Sequence, residues 1–242
     1  MILDKNAGFI RPELAVISAA YQAETLGAEI HRFTKVEDIV PDNDGVTIAA
    51  NGKSYRVNKV IVTTGAWTAR LLPKMEKEVE ARRLVLTWFP AKNIAAFQPK
   101  NFPIFARMRN DFRLTGAPTL DGTMVKASNT KDPNRVPDPS QLNRDVSLEE
   151  IKEVSSAAVK ELMPGLVPDP VRASVYMDGY TTDDHSMIGE IPGMHNTFLV
   201  AGFSGHGFKM APVIGAIVAD LIIDGKTKHD ITHLDLNRNL VY

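Results

Sequence analysis

The 242 residues carry 28 Lys and Arg against 29 Asp and Glu, for a net charge of −1, and are 44% hydrophobic and 24% charged. These are the proportions of an ordinary soluble globule with room for one large domain or two modest ones, and they argue against a nucleic-acid-binding or membrane-binding surface. With no cysteine in the chain, disulfides, thiolate metal sites and cysteine nucleophiles are excluded, and the expected setting is a reducing cytoplasm.

No apolar run reaches the roughly 18 residues of a membrane span, and the opening Met-Ile-Leu-Asp-Lys-Asn-Ala-Gly lacks the basic start and apolar stretch of a signal peptide. Residues 11–27 read as a helix, with Pro12 in the first turn, Leu14, Ile17, Ala20, Tyr21 and Ala23 on one face, and Gly27 as the stop. Ala28–Phe33 reads as a strand, followed by another at Val36–Val40. Asp42-Asn-Asp-Gly45 predicts a turn, Val46–Ala50 a strand, and Asn51-Gly52 a hairpin into Ser54–Val57. Lys59–Thr64 has the apolar texture of a fully buried strand and ends in Gly65-Ala66-Trp67 and a short helix to Leu72.

From about residue 80 the pattern changes. Arg83–Phe89, Pro103–Arg107, Phe112–Thr115 and Thr123–Ala127 read as strands of an antiparallel sheet. Asn129–Arg144, with three prolines, reads as a surface loop. Ser147 and Glu150 form a capping box opening a helix that runs to about Met163 and stops at Pro164-Gly165. Val171–Met177 is a further strand and Thr181–Pro192 a turn-rich return. The chain closes with a buried strand, Thr197–Ala201, then Gly202-Phe-Ser-Gly-His-Gly-Phe-Lys209, then a mostly apolar helix from Met210 to Ile223 ended by Gly225. The glycines at 202, 205 and 207 allow close backbone approach and present N–H groups at a helix start, where the dipole favours an anion or an electron-rich oxygen. Lys209 places a cation where a helix by itself prefers acids, which points to a ligand. This order predicts an α/β (α+β) chain of three segments: 1–80 and 179–242 as parts of one domain, and 81–178 as an inserted domain on an antiparallel sheet.

Gly65-Ala-Trp67, Lys126, Asp183-Asp-His185 and the run Gly202–Lys209, taken together, resemble the FAD-dependent sarcosine oxidase and N-methyltryptophan oxidase family. Thr34–Asp38, Val60–Trp67 and Gly225–Ile231 match it in order and approximate spacing. The resemblance implies a partial FAD-binding oxidoreductase fold with an inserted substrate domain. It also implies oxidation of the C–N bond of a secondary amine or N-methyl amino acid, with O2 as acceptor giving hydrogen peroxide. By the same resemblance Gly205, His206, Gly207 and Phe208 line the flavin, Lys209 holds the substrate carboxylate, and Lys126 lies beside the flavin face and activates oxygen. Val36 then contacts the adenine, and Gly65, Ala66 and Trp67 form a turn beside the cofactor. On their own, Lys126 reads as an exposed strand lysine, Val36 as a core residue and the Trp67 ring as packing. His185 receives no chemical role, and His31, His195, His229 and His233 show no metal-ligand spacing.

The chain also departs from the family. Tyr176 stands where members with covalent flavin have a cysteine, so the implied FAD is non-covalent. Thr115 and Asp178 stand where tyrosines of the substrate cage are usual, which leaves sarcosine open as substrate. The strand–Gly-x-Gly-x-x-Gly–helix with which the family holds the pyrophosphate does not occur. The chain resembles the C-terminal two-thirds of such an enzyme. Two readings follow: an amine oxidase, or a catalytically silent fragment or binding domain whose N-terminal FAD-binding half comes from elsewhere.

Overall fold

A computed structural model describes residues 2–109, 112–130 and 133–238. Contacts divide the chain into two units, one of residues 1–15, 83–134 and 142–176, the other of residues 16–82, 135–141 and 177–242. The first is built on an antiparallel sheet; the second holds a hairpin meander and a small sheet carrying a helix.

α1 (Pro12–Thr25) forms where the sequence places it, and Gly27 follows at a φ of 95°. Its expected apolar face is not covered: no residue of α1 is buried, and Leu14, Ile17 and Tyr21 are 60%, 64% and 70% exposed. Ala28–Phe33 is irregular rather than a strand, and Phe33 sits at a φ of 55° with its ring in solvent. Apolar alternation alone does not make a strand without a neighbour to take its backbone hydrogen bonds.

β1 (Val36–Asp42), β2 (Gly45–Ala50) and β3 (Lys53–Val57) form an antiparallel meander. Its second turn has Asn51 at φ 46° and Gly52 at φ 71°, the left-handed pair that matches strand twist. Arg56 reaches across to Asp42 with bonds of 2.5 and 2.7 Å and lowers that carboxyl to about 2.

β4 (Val60–Val62) leads into a single 3-10 turn at Gly65–Trp67, and α2 (Thr68–Leu71) follows. β5 (Glu80–Phe89), β6 (Phe105–Arg109), β7 (Phe112–Ala117) and β8 (Val125–Asn129) belong to the large sheet. β9 (Asn134–Val136) pairs with β5, so the stretch expected as loop contains a strand, and Pro139 within it is buried. α3 (Leu148–Ile151) and α4 (Ala157–Leu162) are joined by a π-helical turn. Ser147 caps α3 by accepting the Glu150 N–H at 3.1 Å, but the Glu150 carboxylate does not close the expected box. It takes both terminal nitrogens of Arg83, a charged pair stronger than a neutral cap. β10 (Arg172–Tyr180) completes the sheet in the order β10-β5-β8-β7-β6. Phe89, Leu114, Val125, Ala127, Val159 and Leu166 form the core beneath it.

β11 (Met187–Glu190) lies in the segment read as a turn-rich return and pairs antiparallel with β12 (Thr197–Ala201), which in turn runs parallel to β4. The return is short because Glu190 accepts the Asn196 N–H at 2.7 Å across it. Strand alternation gives this sheet two faces. Met187, Leu199 and Ala201 join Val60 and Val62 in one core, while Ile188 and Val200 face Ile214, Ile217 and Val218 of α5 (Gly207–Asp224). Gly225 ends α5 in the left-handed conformation at φ 69°. Among the described residues no helix is long and apolar enough to cross a membrane.

Candidate functional site

β4 and β12 are parallel neighbours in the register Val60–Thr197 to Val62–Leu199. Each ends in a glycine-containing turn that starts a helix: Gly65–Trp67 before α2, and Gly202–His206 before α5. Parallel strands so connected gather ligands at their carboxyl ends, where helix N-termini point. The sequence candidates Gly65, Ala66, Trp67, Gly205, His206, Gly207, Phe208 and Lys209 therefore fall on two adjacent strand ends. Gly65, Gly207 and Phe208 line one apolar groove. A Cβ built on Gly65 would meet nothing within 4 Å, so space opens beyond that turn.

The second turn is held tightly. Gly202, Ser204 and Gly205 have φ values of 70°, 49° and 84°. A Cβ on Gly202 would lie 2.4 Å from Thr181 Cγ2. Buried Ser204 accepts the Thr181 N–H at 3.2 Å and donates its own N–H to the Gly179 carbonyl at 3.0 Å. The Gly205 N–H donates to Asp178 Oδ2 at 2.9 Å, and the His206 N–H to the Phe203 carbonyl at 2.8 Å. The sequence expects these N–H groups to face a ligand. Those of Gly205 and His206 are instead used within the protein, because the left-handed residues fold the turn back on itself. His206, at the N-cap of α5, makes no side-chain cap, so the donors at the helix start itself are those best placed for an acceptor.

Asp178 is the site residue the sequence undervalued. It reads as a lost tyrosine; in the structure it accepts the Gly179 N–H at 2.8 Å as well as that of Gly205. The two partners in the chain lie 27 residues apart, and no local pattern signals the link. Val36 and Trp67 also differ from expectation. Val36, 37% exposed at a β-bulge, is not a core residue, and the Trp67 ring, 45% exposed, is not packed away. Lys209 is exposed in the first turn of α5. Tyr176 is 42% exposed.

Lys126 belongs to the other unit. It lies on β8 opposite Trp88 of β5 and Ala117 of β7, is only partly accessible, and burial pushes its ammonium below its ordinary value. The Arg172 guanidinium covers the Trp88 ring at 4.4 Å. Thr115 faces Ser128 across the strands, so alternation puts Thr115 and Lys126 on the same face of the sheet.

The Asp183–His185 segment is structural. Asp183 accepts two bonds from Arg238, at 2.8 and 3.0 Å, and the His185 ring nitrogen lies 2.7 Å from the Asp183 carbonyl. Thr181 ties this segment to the turn by donating to the His185 carbonyl at 2.8 Å. The Arg238 bonds hold the Asp183 carboxyl far below its ordinary 3.8. The pair thus contributes stability that is complete above about pH 4 and is lost as pH falls through the lowered folded value. Asp183→Asn should cost about 2 kcal/mol at pH 7 and flatten the acid limb of a urea-denaturation series. An unchanged acid limb would remove the pair from this role. Among the described residues no group of three or more His, Asp or Glu is placed to hold a metal ion.

Two glycine turns at the carboxyl ends of a parallel strand pair are the setting in which α/β sheets bind nucleotide ligands. The chain belongs to the FAD dependent oxidoreductase family, whose model matches residues 1–221. It is 31% identical over 241 residues to monomeric sarcosine oxidase of Bacillus sp. (strain NS-129), a match covering 98% of this chain and 62% of that protein. It is 28% identical over 239 residues to N-methyl-L-tryptophan oxidase of Salmonella enteritidis PT4 (strain P125109), covering 98% and 63%. In structure it is similar to the open form of NikD, an unusual amino acid oxidase essential for nikkomycin biosynthesis, with TM-score 0.75, 22% identity and coverage of 92% of this chain and 59% of that one. Glycine oxidase from Geobacillus kaustophilus gives TM-score 0.73 and 23% identity, covering 93% and 57%. The fold is therefore the mixed α/β fold of these oxidases, and the chain spans less than two thirds of the length of these relatives.

Proposed function

We propose that the chain is the flavin-edge and substrate-facing portion of an FAD-dependent oxidase acting on the C–N bond of a secondary amine or N-methyl amino acid. The observation that carries this is the pairing of the Gly65–Trp67 and Gly202–Lys209 turns on adjacent parallel strand ends. FAD, when bound, would supply the redox chemistry for oxidation of the C–N bond with O2 as acceptor. The rest falls to the protein. The N–H groups of Gly207 and Phe208 at the α5 start would face the electron-rich edge of the ring, with Gly65, Ala66 and Trp67 beside it and Val36 at the adenine end. Gly205 and His206 would shape this edge through backbone and side chain, since their N–H groups are bonded internally. Lys209, free in solvent at the helix start, would anchor the substrate carboxylate. Lys126 would supply a partly desolvated cation where O2 gains negative charge. With no cysteine in the chain, the cofactor would be held non-covalently.

A second reading has a specific basis: Gly-x-Gly-x-x-Gly does not occur in the sequence, so the pyrophosphate would lack its usual seat. On that reading the chain is a catalytically silent portion that cannot hold FAD alone. Purification in the presence of FAD separates the two. A yellow protein that keeps stoichiometric flavin through gel filtration supports the oxidase reading, and a colourless protein overturns it for this chain. In the flavin-loaded chain, Lys209→Met should weaken carboxylate inhibitors by about 1.5–3 kcal/mol, the worth of one charged hydrogen bond. Unchanged inhibition constants would remove Lys209 from that role.

A further inference from the structure

Asn51-Gly52 turns the β2–β3 hairpin, but its surroundings exceed what a turn requires. The Asn51 side chain bridges back to the segment before β1. Its Oδ1 accepts the Lys35 N–H at 3.0 Å, and its Nδ2 donates to the Phe33 carbonyl at 3.1 Å. The Gly52 N–H points at Glu37 Oε2, a long contact of 3.5 Å. Glu37 reaches the turn through a bulge. Val36 pairs with Ala50 and Asp38 with Ala49, which leaves Glu37 as the extra residue between them. Such a residue re-aims its side chain. Asn51, Gly52 and Glu37 are all exposed, so water reaches the group. At Gly52, φ is 71° and a built Cβ meets nothing within 4 Å, so the nitrogen is shielded neither by a side chain of its own nor by a neighbour at that point.

These contacts fall where loss of the Asn51 amide needs them. The Gly52 nitrogen can close a succinimide ring on Asn51 Cγ. As that N–Cγ bond forms, the nitrogen gives up its proton, and the Glu37 carboxylate lies beside it as acceptor. Negative charge gathers on Oδ1, where the Lys35 N–H already donates. The Cγ–Nδ2 bond then breaks and Nδ2, taking up a proton, leaves as ammonia. Water opens the succinimide at either carbonyl to give aspartate or isoaspartate. Asparagine and water are consumed, ammonia and a carboxylic acid are formed, and no oxidant or reductant enters. We infer that Asn51-Gly52 is a self-modifying site, deamidated faster in the folded chain than in the unfolded one. The product has no Nδ2 donor for Phe33 and sets a second carboxylate near Glu37. Phe33 and Lys35 lie just before Val36, so the change loosens the stretch that the oxidase reading places at the adenine. The chemistry does not rest on that reading.

The test ages the purified chain without FAD at mildly alkaline pH, in buffer and, in parallel, in urea that unfolds it. Tryptic cleavage after Lys35 and Lys53 releases residues 36–53, which carry Asn43, followed by Asp44, as an internal control. Mass spectrometry then times conversion at each asparagine. Conversion at Asn51 should run about threefold or more faster folded than in urea, well ahead of Asn43. Glu37→Gln should bring the folded rate down to the urea rate or below it and leave the urea rate as it was. Thermal unfolding of Glu37→Gln separates a lost base from a lost hairpin, and the comparison of folded with unfolded native chain needs no variant. Aged protein, separated on anion exchange by its added charge, should show faster hydrogen exchange at residues 33–36. A folded chain that converts more slowly than the unfolded one would make the two amide bonds a lock and overturn the inference. So would Asn43 converting as fast, a folded Glu37→Gln chain with the native rate, or aged protein with unchanged exchange.

Discussion

Gly202→Ala should destabilise the chain by about 3 kcal/mol, the sum of a left-handed backbone and an overpacked contact. Gly202 has a φ of 70°, and an added Cβ would come within 2.4 Å of Thr181 Cγ2. Thr181 cannot move aside cheaply. It is 1% exposed, its N–H is held by Ser204 Oγ, and its hydroxyl donates to the His185 carbonyl. The steric and backbone contributions are separable because only one of them involves the Thr181 methyl. Thr181→Ser deletes that methyl and keeps the hydroxyl. In the Gly202→Ala background it should recover about 1–2 kcal/mol, leaving the cost of the left-handed alanine. Urea denaturation of the two single variants and the double variant provides the cycle. Strict additivity would show that the methyl contact is not the source of strain.

The parts of this fold that were legible in the sequence are those whose cause is local. Asn51-Gly52, Ser147 as a cap, Gly225 as a stop and the apolar run at Thr197–Ala201 each do what their chemistry requires of them. Val60–Val62, by contrast, forms its strand but leaves Ile61 44% exposed where the sequence expects full burial. The failures arise where a distant partner decides. Ala28–Phe33 has strand composition but no strand to pair with, while β9 and β11 form from turn-like sequence because β5 and β12 are there to receive them. Glu150 sits at the right offset for a capping box, yet Arg83, 67 residues away, claims its carboxylate. The site divides along the same line. Its glycine turns were readable from spacing, whereas the Asp178–Gly205 bond was not, because a carboxylate bound to a remote backbone N–H leaves no periodic trace. Solvent exposure of α1, Val36 and Trp67 was unreadable for a related reason. Apolar spacing places residues on one face of an element, but does not say whether that face is covered.

Lys126→Met should make the folded chain more stable and the flavin-loaded chain slower. Burial lowers the Lys126 ammonium below its ordinary 10.5, so folding a charged lysine into β8 carries a desolvation cost. For a lysine so shifted, the unfolded state holds the proton more tightly. The cost is therefore fully present below the folded pKa and disappears as pH rises through it towards 10.5. Methionine has a similar length and no charge, and should stabilise the chain by about 1 kcal/mol at pH 7. That advantage over the native chain should narrow as the pH of the denaturation series is raised. The opposite effect is expected on turnover. If the cation stabilises the charge that O2 acquires, peroxide production by the flavin-loaded Lys126→Met chain should fall about 10²–10³-fold. Anaerobic bleaching by substrate should change far less. Equal losses in the two assays would make Lys126 a general support of the sheet face shared with Thr115, not an oxygen-side group. A less stable Met variant would contradict the desolvation account itself. A stabilised protein with slow aerobic turnover is the combination expected when a partly buried charge is kept for chemistry at the expense of the fold.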